Sequence, residues 1–405
     1  SAASDVYKRQ LVNQSKQGIN FTFEVFLLAA NLRLAIIGIP PIVSKVQAFF
    51  HLTTVQTGAL TTIPLLCFGF LSVLTAPVIR RLGTKRTIEF ALLMLAIANL
   101  LRTYVSWGMF AGTIFVGAGI TMLNVSLPAL IVERQPQDAG RLNGVYTASI
   151  NIISAIIGGI AFPVANALGW QFTVQLFSIP AIIAFLTTLL LPNKQPRQKS
   201  TSSTHQTSEP QTPIWKRGHV WMLALFMGLQ SMIFYTIVAW LPSILTAHDL
   251  SATTAGWLFS IFQIIGAPFA YLVPRATTKI SNLQILMVTL LAGYLIGTGI
   301  LIYFSATWLL VLACLILGIT TASVFTFSLT MITTISQTPQ EAGSVGGIVQ
   351  SIGYLIASVG PTIFGVIRTT FGNWPETLIV MIVISVVNIL VGFILIRTIA
   401  QKNFL

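Results

Sequence analysis

Apolar stretches of about 20 residues recur along the whole chain, and short polar segments separate them. A helix of ~20 residues crosses the ~30 Å hydrocarbon core of a bilayer, so the pattern predicts an all-α membrane protein with many spans. We place twelve transmembrane helices and expect a break in the second at Pro64. The predicted spans cover residues 21–43, 54–79, 87–104, 107–132, 144–168, 172–191, 220–241, 254–273, 282–303, 307–332, 345–367 and 377–397.

The polar segment between the sixth and seventh spans differs from the other loops. Residues 192–219, PNKQPRQKSTSSTHQTSEPQTPIWKRGH, are rich in Ser, Thr, Gln and Pro and offer almost nothing to bury. We therefore predict a flexible cytoplasmic linker at 193–218 between two six-helix bundles, at 11–192 and 219–405. Residues 1–10, SAASDVYKRQ, resemble a translated sequencing adapter, and we expect them to be an artefact.

Two loops at equivalent places in the two predicted bundles are similar in sequence. PQDAGRLNG (Pro136–Gly144) precedes the fifth span and PQEAGSVGG (Pro339–Gly347) precedes the eleventh. Their separation of about 200 residues is typical of transporters built from two parallel six-helix repeats. We infer that the two halves are pseudo-symmetric copies.

Charge and composition agree with a membrane protein. The chain is 55% hydrophobic and only 8% charged, whereas soluble domains carry about 25% charged residues. The net charge of +13 comes from short basic clusters between spans, which indicates orientation in a membrane rather than binding to nucleic acid. Only Lys45, Arg368 and Arg102 fall on the outer side, so we expect both termini in the cytoplasm and the protein in a bacterial plasma membrane.

The sequence offers no candidate for catalysis, a metal or a cofactor. Cys67 and Cys314 lie inside predicted spans, where we interpret them as packing residues. The four histidines have no companion ligand at metal spacing, and no span combines a nucleophile with a base. We expect a non-enzymatic protein whose partners are a small solute and the lipid bilayer.

Arg33 lies near the middle of the first span. A cation at that depth costs at least ~2.5–3.5 kcal/mol, so its side chain should face protein or water. It could be an architectural residue that binds backbone carbonyls, or it could line an aqueous cavity and contact the solute. We favour the cavity.

Other polar residues in the spans fall on shared helix faces. Thr147 and Asn151 in the fifth span are spaced like Gln350 and Tyr354 in the eleventh. Such stripes also serve helix packing, but large polar groups need water or a partner, and we favour the cavity for the amides and Tyr354. The candidate solute-binding residues are Asn31, Arg33, Asn124, Thr147, Asn151, Gln230, Tyr235, Gln263, Gln350 and Tyr354, whereas we expect Trp240 at the membrane interface.

Glu24 is a candidate for proton coupling, but we favour a solvated carboxylate at the start of a helix. Nine residues from Arg33, it should point to the opposite side of an ideal helix. No carboxylate or histidine lies mid-span. Importing an anion against the membrane potential costs ~2.3 kcal/mol per 100 mV, and no residue in the middle of a span could carry a compensating proton. Three possibilities therefore remain open: the solute is neutral or weakly acidic, the protein exchanges anions, or it moves its solute outward.

Twelve spans in two groups of six with a long middle loop resemble the major facilitator superfamily. RRLGTKR occupies the place of its basic loop motif, without the usual Asp, and the resemblance implies a conformational role for Arg80, Arg81, Gly83, Lys85 and Arg86. Within the superfamily, the chain resembles the cyanate and 2-nitroimidazole transporter family. The segments that carry this resemblance are Asn31-Leu32-Arg33, Leu60–Ser72, Ala76–Arg86, Asn124–Ile131 and Gly228–Leu245.

This resemblance implies a secondary transporter that functions as a monomer by alternating access. Its solute would be small and anionic, weakly acidic or heteroaromatic, similar to cyanate or a nitroimidazole. The alternatives are an efflux pump for small amphiphilic compounds and a transporter-like membrane sensor.

Overall fold

The computed structural model describes residues 21–190, 214–279, 283–336 and 339–401. The predicted adapter segment and most of the predicted linker lie outside these ranges. All regular secondary structure within them is helical. After α1, which covers residues 21–30, the helices are α2 (Leu34–Ile37), α3 (Val43–Phe50), α4 (Thr54–Leu82), α5 (Thr84–Leu101), α6 (Ser106–Arg134), α7 (Ala139–Leu168), α8 (Trp170–Leu176), α9 (Ser178–Leu190), α10 (Gly218–Ala247), α11 (Ala252–Ile264), α12 (Phe269–Lys279), α13 (Leu283–Tyr303), α14 (Thr307–Thr334), α15 (Pro339–Phe371) and α16 (Trp374–Gln401).

Ten helical segments of the described chain are long and apolar enough to cross a membrane. The predicted third span corresponds to α5, which is only 18 residues long and begins with a basic turn. The predicted eighth span is divided between α11 and α12. The protein is therefore a multi-pass helical membrane protein, and the count of twelve spans stays a prediction.

The first span is not one regular helix. A turn at residues 31–33 separates α1 from α2, and the backbone N–H groups of Asn31 and Leu32 bond three residues back rather than four. Pro40 and Pro41 open a second short turn before α3, since proline cannot donate to the helical ladder. Arg33 is the last residue of the turn at 31–33, where the backbone departs from α-helical geometry.

The predicted break at Pro64 is wrong. Helix α4 runs without interruption from Thr54 to Leu82 and includes both Pro64 and Pro77. A β-carbon on Gly117 of α6 would lie only 2.9 Å from the Cα of Pro64. Close packing by a neighbouring helix compensates for a missing hydrogen bond inside a membrane protein, so proline need not end the span.

Two helix pairs join the predicted N-terminal and C-terminal groups. In the first, Thr62 of α4 donates to the backbone oxygen of Ser358 on α15 at 2.6 Å and accepts from Thr362 at 2.8 Å. In the second, Ser260 of α11 donates to the Ala155 oxygen of α7 at 2.5 Å. Small residues and hydroxyl groups make these close contacts possible.

Candidate solute site

The side chain of Arg33 lies between the two groups of helices. Its Nη1 atom donates to the hydroxyl oxygen of Tyr235 on α10, at 3.2 Å. Arg33 is only partly buried, and no carboxylate of the described chain forms an ion pair with it. A guanidinium therefore stands in the middle of the bundle with a neutral phenol as its hydrogen-bond partner.

Two further tyrosines surround Arg33. Tyr354 of α15 and Tyr146 of α7 both interact electrostatically with its guanidinium. The ring of Tyr354 meets that of Tyr235 edge-on, with centroids 6.3 Å apart. Tyr146 donates to Oδ1 of Asn124 on α6, at 3.1 Å. Three helices thus direct polar groups towards one cation, and a fourth, α6, contributes through the bond to Tyr146. We name Arg33, Asn124, Tyr146, Tyr235 and Tyr354 the central cluster.

Aromatic rings extend the central cluster on both sides. Phe68 of α4 packs edge-on against Tyr354 with a centroid distance of 5.6 Å. Phe234 packs against Tyr235 at 4.9 Å and stacks on Phe262 of α11 at 6.2 Å. These rings place apolar surface next to the tyrosines that surround the cation. The arrangement suits a small planar group that carries negative charge.

Three of the amide side chains predicted to bind solute are accessible and make no hydrogen bond to another described residue. Asn151, Gln263 and Gln350 are each partly buried, and their side chains have no hydrogen-bond partner among the described residues. Gln350 lies one helical turn before Tyr354, on the same face of α15. These amides are available to a solute or to water.

The structure does not bring Asn31, Gln230 or Thr147 into the central cluster. Asn31 is buried, and its amide nitrogen donates to the backbone oxygens of Leu27 and Pro180, which joins α1 to α9. Gln230 is buried and donates to Ser231. Thr147 is exposed and donates to the backbone of its own helix. Their roles in solute binding stay predictions.

Helices α7 and α15 pack more loosely towards one side of the membrane than towards the other. We name the loosely packed side the basic side, because Arg80–Arg86 lie there, between α4 and α5. Gly144 of α7 and Gly347 of α15 lie near it and have no heavy atom within 4 Å of an added β-carbon. On the opposite side the same helices are closed, since a β-carbon on Gly159 would clash with Trp257 and one on Gly365 would meet the Thr54 backbone at 2.8 Å.

The basic loop, Arg80–Arg86, lies between α4 and α5 as predicted, and its residues differ in their contacts. Gly83 has a φ of 83° between α4 and α5, a backbone conformation that favours glycine. Lys85 pairs with Glu89 at 3.5 Å, whereas Arg80, Arg81 and Arg86 are exposed. Elsewhere, Arg217 at the start of α10 forms an ion pair with Glu341 of α15.

The structure corrects two predictions, those for Glu24 and Trp240. Glu24 is not solvated, since its residue is only 4% exposed and its Oε1 lies 2.5 Å from Oγ1 of Thr188 on α9. Trp240 is not at the membrane interface but buried, with its indole N–H donating to the Pro361 oxygen at 2.9 Å. Arg102 follows the last residue of α5, at the end of the predicted third span, and is buried there: it is 1% exposed and donates to the Ala35 oxygen at 3.3 Å.

Tyr146 and the phenylalanines of the aromatic walls were missed by the sequence reasoning. Tyr146 is the neighbour of Thr147, which we predicted as a solute-binding residue. In the structure, the rotation of α7 directs Tyr146, not Thr147, towards Arg33. Phe68, Phe234 and Phe262 carry no sequence signal, because aromatic residues are equally common on faces that contact lipid or other helices.

Comparison with known proteins places this geometry in a family. The profile of the Major Facilitator Superfamily matches residues 25–361 and 244–403. The chain is 33% identical to the uncharacterized transporter YycB of Bacillus subtilis (strain 168), over 90% of each chain. It is 31% identical to the 2-nitroimidazole transporter of Escherichia coli (strain K12), over 91% of this chain and 93% of that one. The Escherichia coli cyanate transport protein CynX is 22% identical, over 86% and 90%.

Solved structures agree on the fold. The structure superposes on the D-xylose-proton symporter with a TM-score of 0.79 at 14% identity, over 93% of this chain and 97% of that one. A bacterial homologue of the human lysosomal transporter Spinster gives 0.78 at 13% identity, over 94% and 97%. The chain therefore belongs to the Major Facilitator Superfamily of membrane transporters, which are not enzymes, and within it resembles the 2-nitroimidazole and cyanate transporters.

Proposed function

We propose that the protein moves a small planar anion, or a weakly acidic heteroaromatic compound in its anionic form, across the bacterial plasma membrane. The observation that carries this proposal is Arg33, a cation in the middle of the bundle whose hydrogen-bond partner is the neutral phenol of Tyr235. Removing a charge from water is costly unless an opposite charge compensates. The solute would supply that charge.

The chemistry of the surroundings supports a planar solute. A guanidinium donates two parallel hydrogen bonds to the paired oxygens of a nitro, nitrite or carboxylate group, and it pairs with linear cyanate through one terminal atom. Tyr235 and Tyr354 offer hydroxyl groups beside it, and Phe68 and Phe234 provide apolar ring faces. The relatives named for 2-nitroimidazole and cyanate agree with this chemistry.

Movement would follow alternating access between two six-helix bundles, at residues 11–192 and 219–405. Closed contacts on one side and open glycine faces on the basic side support an inward-facing state, with the basic side and both termini in the cytoplasm. The basic loop would act in this conformational change. We propose that the monomer is the transporting unit.

Solute binding to the purified protein tests the proposal. The ligands are cyanate, nitrite, 2-nitroimidazole and 1-methyl-2-nitroimidazole, which lacks the acidic ring N–H of its parent. We expect the wild type to bind the first three and to bind the methylated compound at least about tenfold more weakly, a difference of ~1.4 kcal/mol.

The variant Arg33→Gln should lose the anions while its melting temperature stays near that of the wild type. Arg33→Lys should recover part of the affinity, since it keeps the charge without the planar fork. Arg368→Gln is the matched control, because Arg368 lies on the opposite side over the ring of Trp374. Equal binding of the methylated and parent compounds by wild type and Arg33→Gln would instead favour an efflux pump for amphiphilic compounds.

A further inference from the structure

Glu24 is the most deeply buried carboxylate among the residues that the structure describes. Its residue is 4% exposed, in the first turn of the described part of α1, at the basic side of the membrane. A buried ionised carboxylate is costly unless several donors or a cation compensate it. Among the described residues, its hydrogen-bond partners are the threonine hydroxyls of Thr187 and Thr188 on α9.

The hydrogen bonds around Thr188 require one more proton than the threonine has. Its Oγ1 atom lies 2.5 Å from Oε1 of Glu24 and 2.7 Å from the backbone oxygen of Ala184. A hydroxyl group carries one proton, so it cannot donate fully to both oxygens. Both contacts become complete hydrogen bonds when Glu24 is a carboxylic acid that donates to Thr188, while Thr188 donates to Ala184.

An alternative partner for the ionised form lies on another helix. Arg134, in the last turn of α6, interacts electrostatically with Glu24. Loss of the proton would strengthen the attraction of α1 to α6, whereas gain of the proton favours the contact with α9. Protonation thus biases which of two helices α1 binds at the basic side.

The same helix segment reaches the central cluster. Between Glu24 and Arg33 the chain passes through the turn at residues 31–33, and Asn31 ties that turn to Pro180 at the start of α9. A change at Glu24 in the contact between α1 and α9 therefore acts on the segment that positions Arg33. We propose that Glu24 is a proton-binding site that couples proton movement to solute movement at Arg33. This proposal rests on the proposed transport function.

Other charged groups near this site have partners of their own. Arg141 pairs with Asp138 at 3.3 Å and reaches Thr22 at 3.4 Å. The other charged groups that the described ranges place near it are Glu133, which interacts with Arg134, and the Lys85–Glu89 pair of α5. The lysine of that pair donates to the Leu189 oxygen of α9.

Infrared spectroscopy of the purified protein tests the proton site without any solute. Wild type should show the C=O stretching band of a protonated carboxyl group above the amide I region, and the band should disappear as the pH is raised. Glu24→Gln should lack this band. Glu89→Gln, which removes a carboxylate of the same side that is already paired with Lys85, should keep it.

Absence of the band in wild type at every pH, or its persistence in Glu24→Gln, would overturn the proton site. If Glu24→Gln fails to fold, Thr188→Val gives the answer. Valine removes the hydrogen-bond partner, so the band should move to higher frequency, and an unchanged band would contradict the assignment.

Transport of 2-nitroimidazole into proteoliposomes tests the coupling. A pH difference of one unit supplies ~1.4 kcal/mol per proton and should drive initial solute uptake by wild-type vesicles faster than by protein-free vesicles, where the uncharged form of this weak acid crosses the bilayer unaided. Glu24→Gln should show no such excess in initial rate and still exchange solute between the two sides. An undiminished excess in Glu24→Gln would overturn the coupling role. The infrared result does not depend on Arg33, so failure of the proposed function and failure of the proton site can be told apart.

Discussion

The hydroxyl oxygen of Tyr235 lies 3.2 Å from Nη1 of Arg33, and the two residues are 202 positions apart in the chain. Arg33 belongs to the first span and Tyr235 to α10, which opens the second predicted bundle. Their hydrogen bond therefore connects the two groups of helices at the depth of the central cluster. A solute that binds Arg33 would contact both groups at once, as alternating access around a central site requires.

Tyr235→Phe should weaken anion binding about tenfold. The substitution removes the hydroxyl that orients the guanidinium and keeps the ring packed against Phe234, and hydrogen bonds to charged groups contribute ~1.5–3 kcal/mol. Calorimetric titration with 2-nitroimidazole measures the loss. Tyr294→Phe is the control, since the Tyr294 hydroxyl is buried in α13 without a partner among the described residues. Equal effects of the two substitutions would contradict a specific role for Tyr235.

Phe68→Leu should weaken the binding of heteroaromatic solutes and leave the binding of inorganic anions unchanged. Phe68 packs against the ring of Tyr354 beside Arg33, and an aromatic pair contributes ~0.5–1.5 kcal/mol beyond its buried area. We expect affinity for 2-nitroimidazole to fall about threefold to tenfold, in line with that range, while affinity for cyanate stays the same. Competition binding of the two ligands checks this. A parallel loss of both would mean that Phe68 supports the fold rather than selects the solute.

The fold and the cation at the centre were predictable from the sequence for a simple reason. Long apolar stretches have few structural solutions in a membrane, and a charge such as Arg33 inside one of them must face protein or water. Tyr235 was identified because a polar group deep in a span is subject to the same constraint. These inferences need the depth of a residue but not its neighbours.

The residues that were missed depend on contacts between distant helices. Tyr146 and Phe68 became part of the site only through the rotation of α7 and α4, which hydropathy does not reveal. Glu24 looked solvated because it lies at the start of a span, yet α9 covers it with Thr188, 164 residues further on. Trp240 was placed at the interface by its residue type, whereas α15 supplies a carbonyl oxygen for its indole.

Gly58→Ala should lower thermal stability by disturbing the closed side. A β-carbon on Gly58 of α4 would clash with the Pro361 oxygen on α15, and the nearby atoms are backbone that cannot move aside easily. Overpacking of this kind costs ~1–3 kcal/mol. Gly299→Ala is the matched control, because Gly299 of α13 has no atom within 4 Å of the added carbon. Thermal unfolding in detergent compares the two, and equal melting temperatures would contradict tight packing at Gly58.

Thiol labelling should reveal which side of the membrane is open. In a background with Cys67 and Cys314 replaced, Gly144→Cys and Gly347→Cys should react with a membrane-impermeant thiol reagent added to the basic side, since no heavy atom lies near these positions. Gly159→Cys should react slowly or destabilise the fold, because its side chain would meet Trp257 and Ser260. We expect 2-nitroimidazole to slow the labelling of Gly347→Cys in proportion to occupancy of the central cluster, because Gly347 lies on the face of α15 that leads to Tyr354. If Gly347→Cys reacts only from the opposite side, the resting conformation differs from the one described. If a solute that binds leaves the labelling rate unchanged, the solute path lies away from α15.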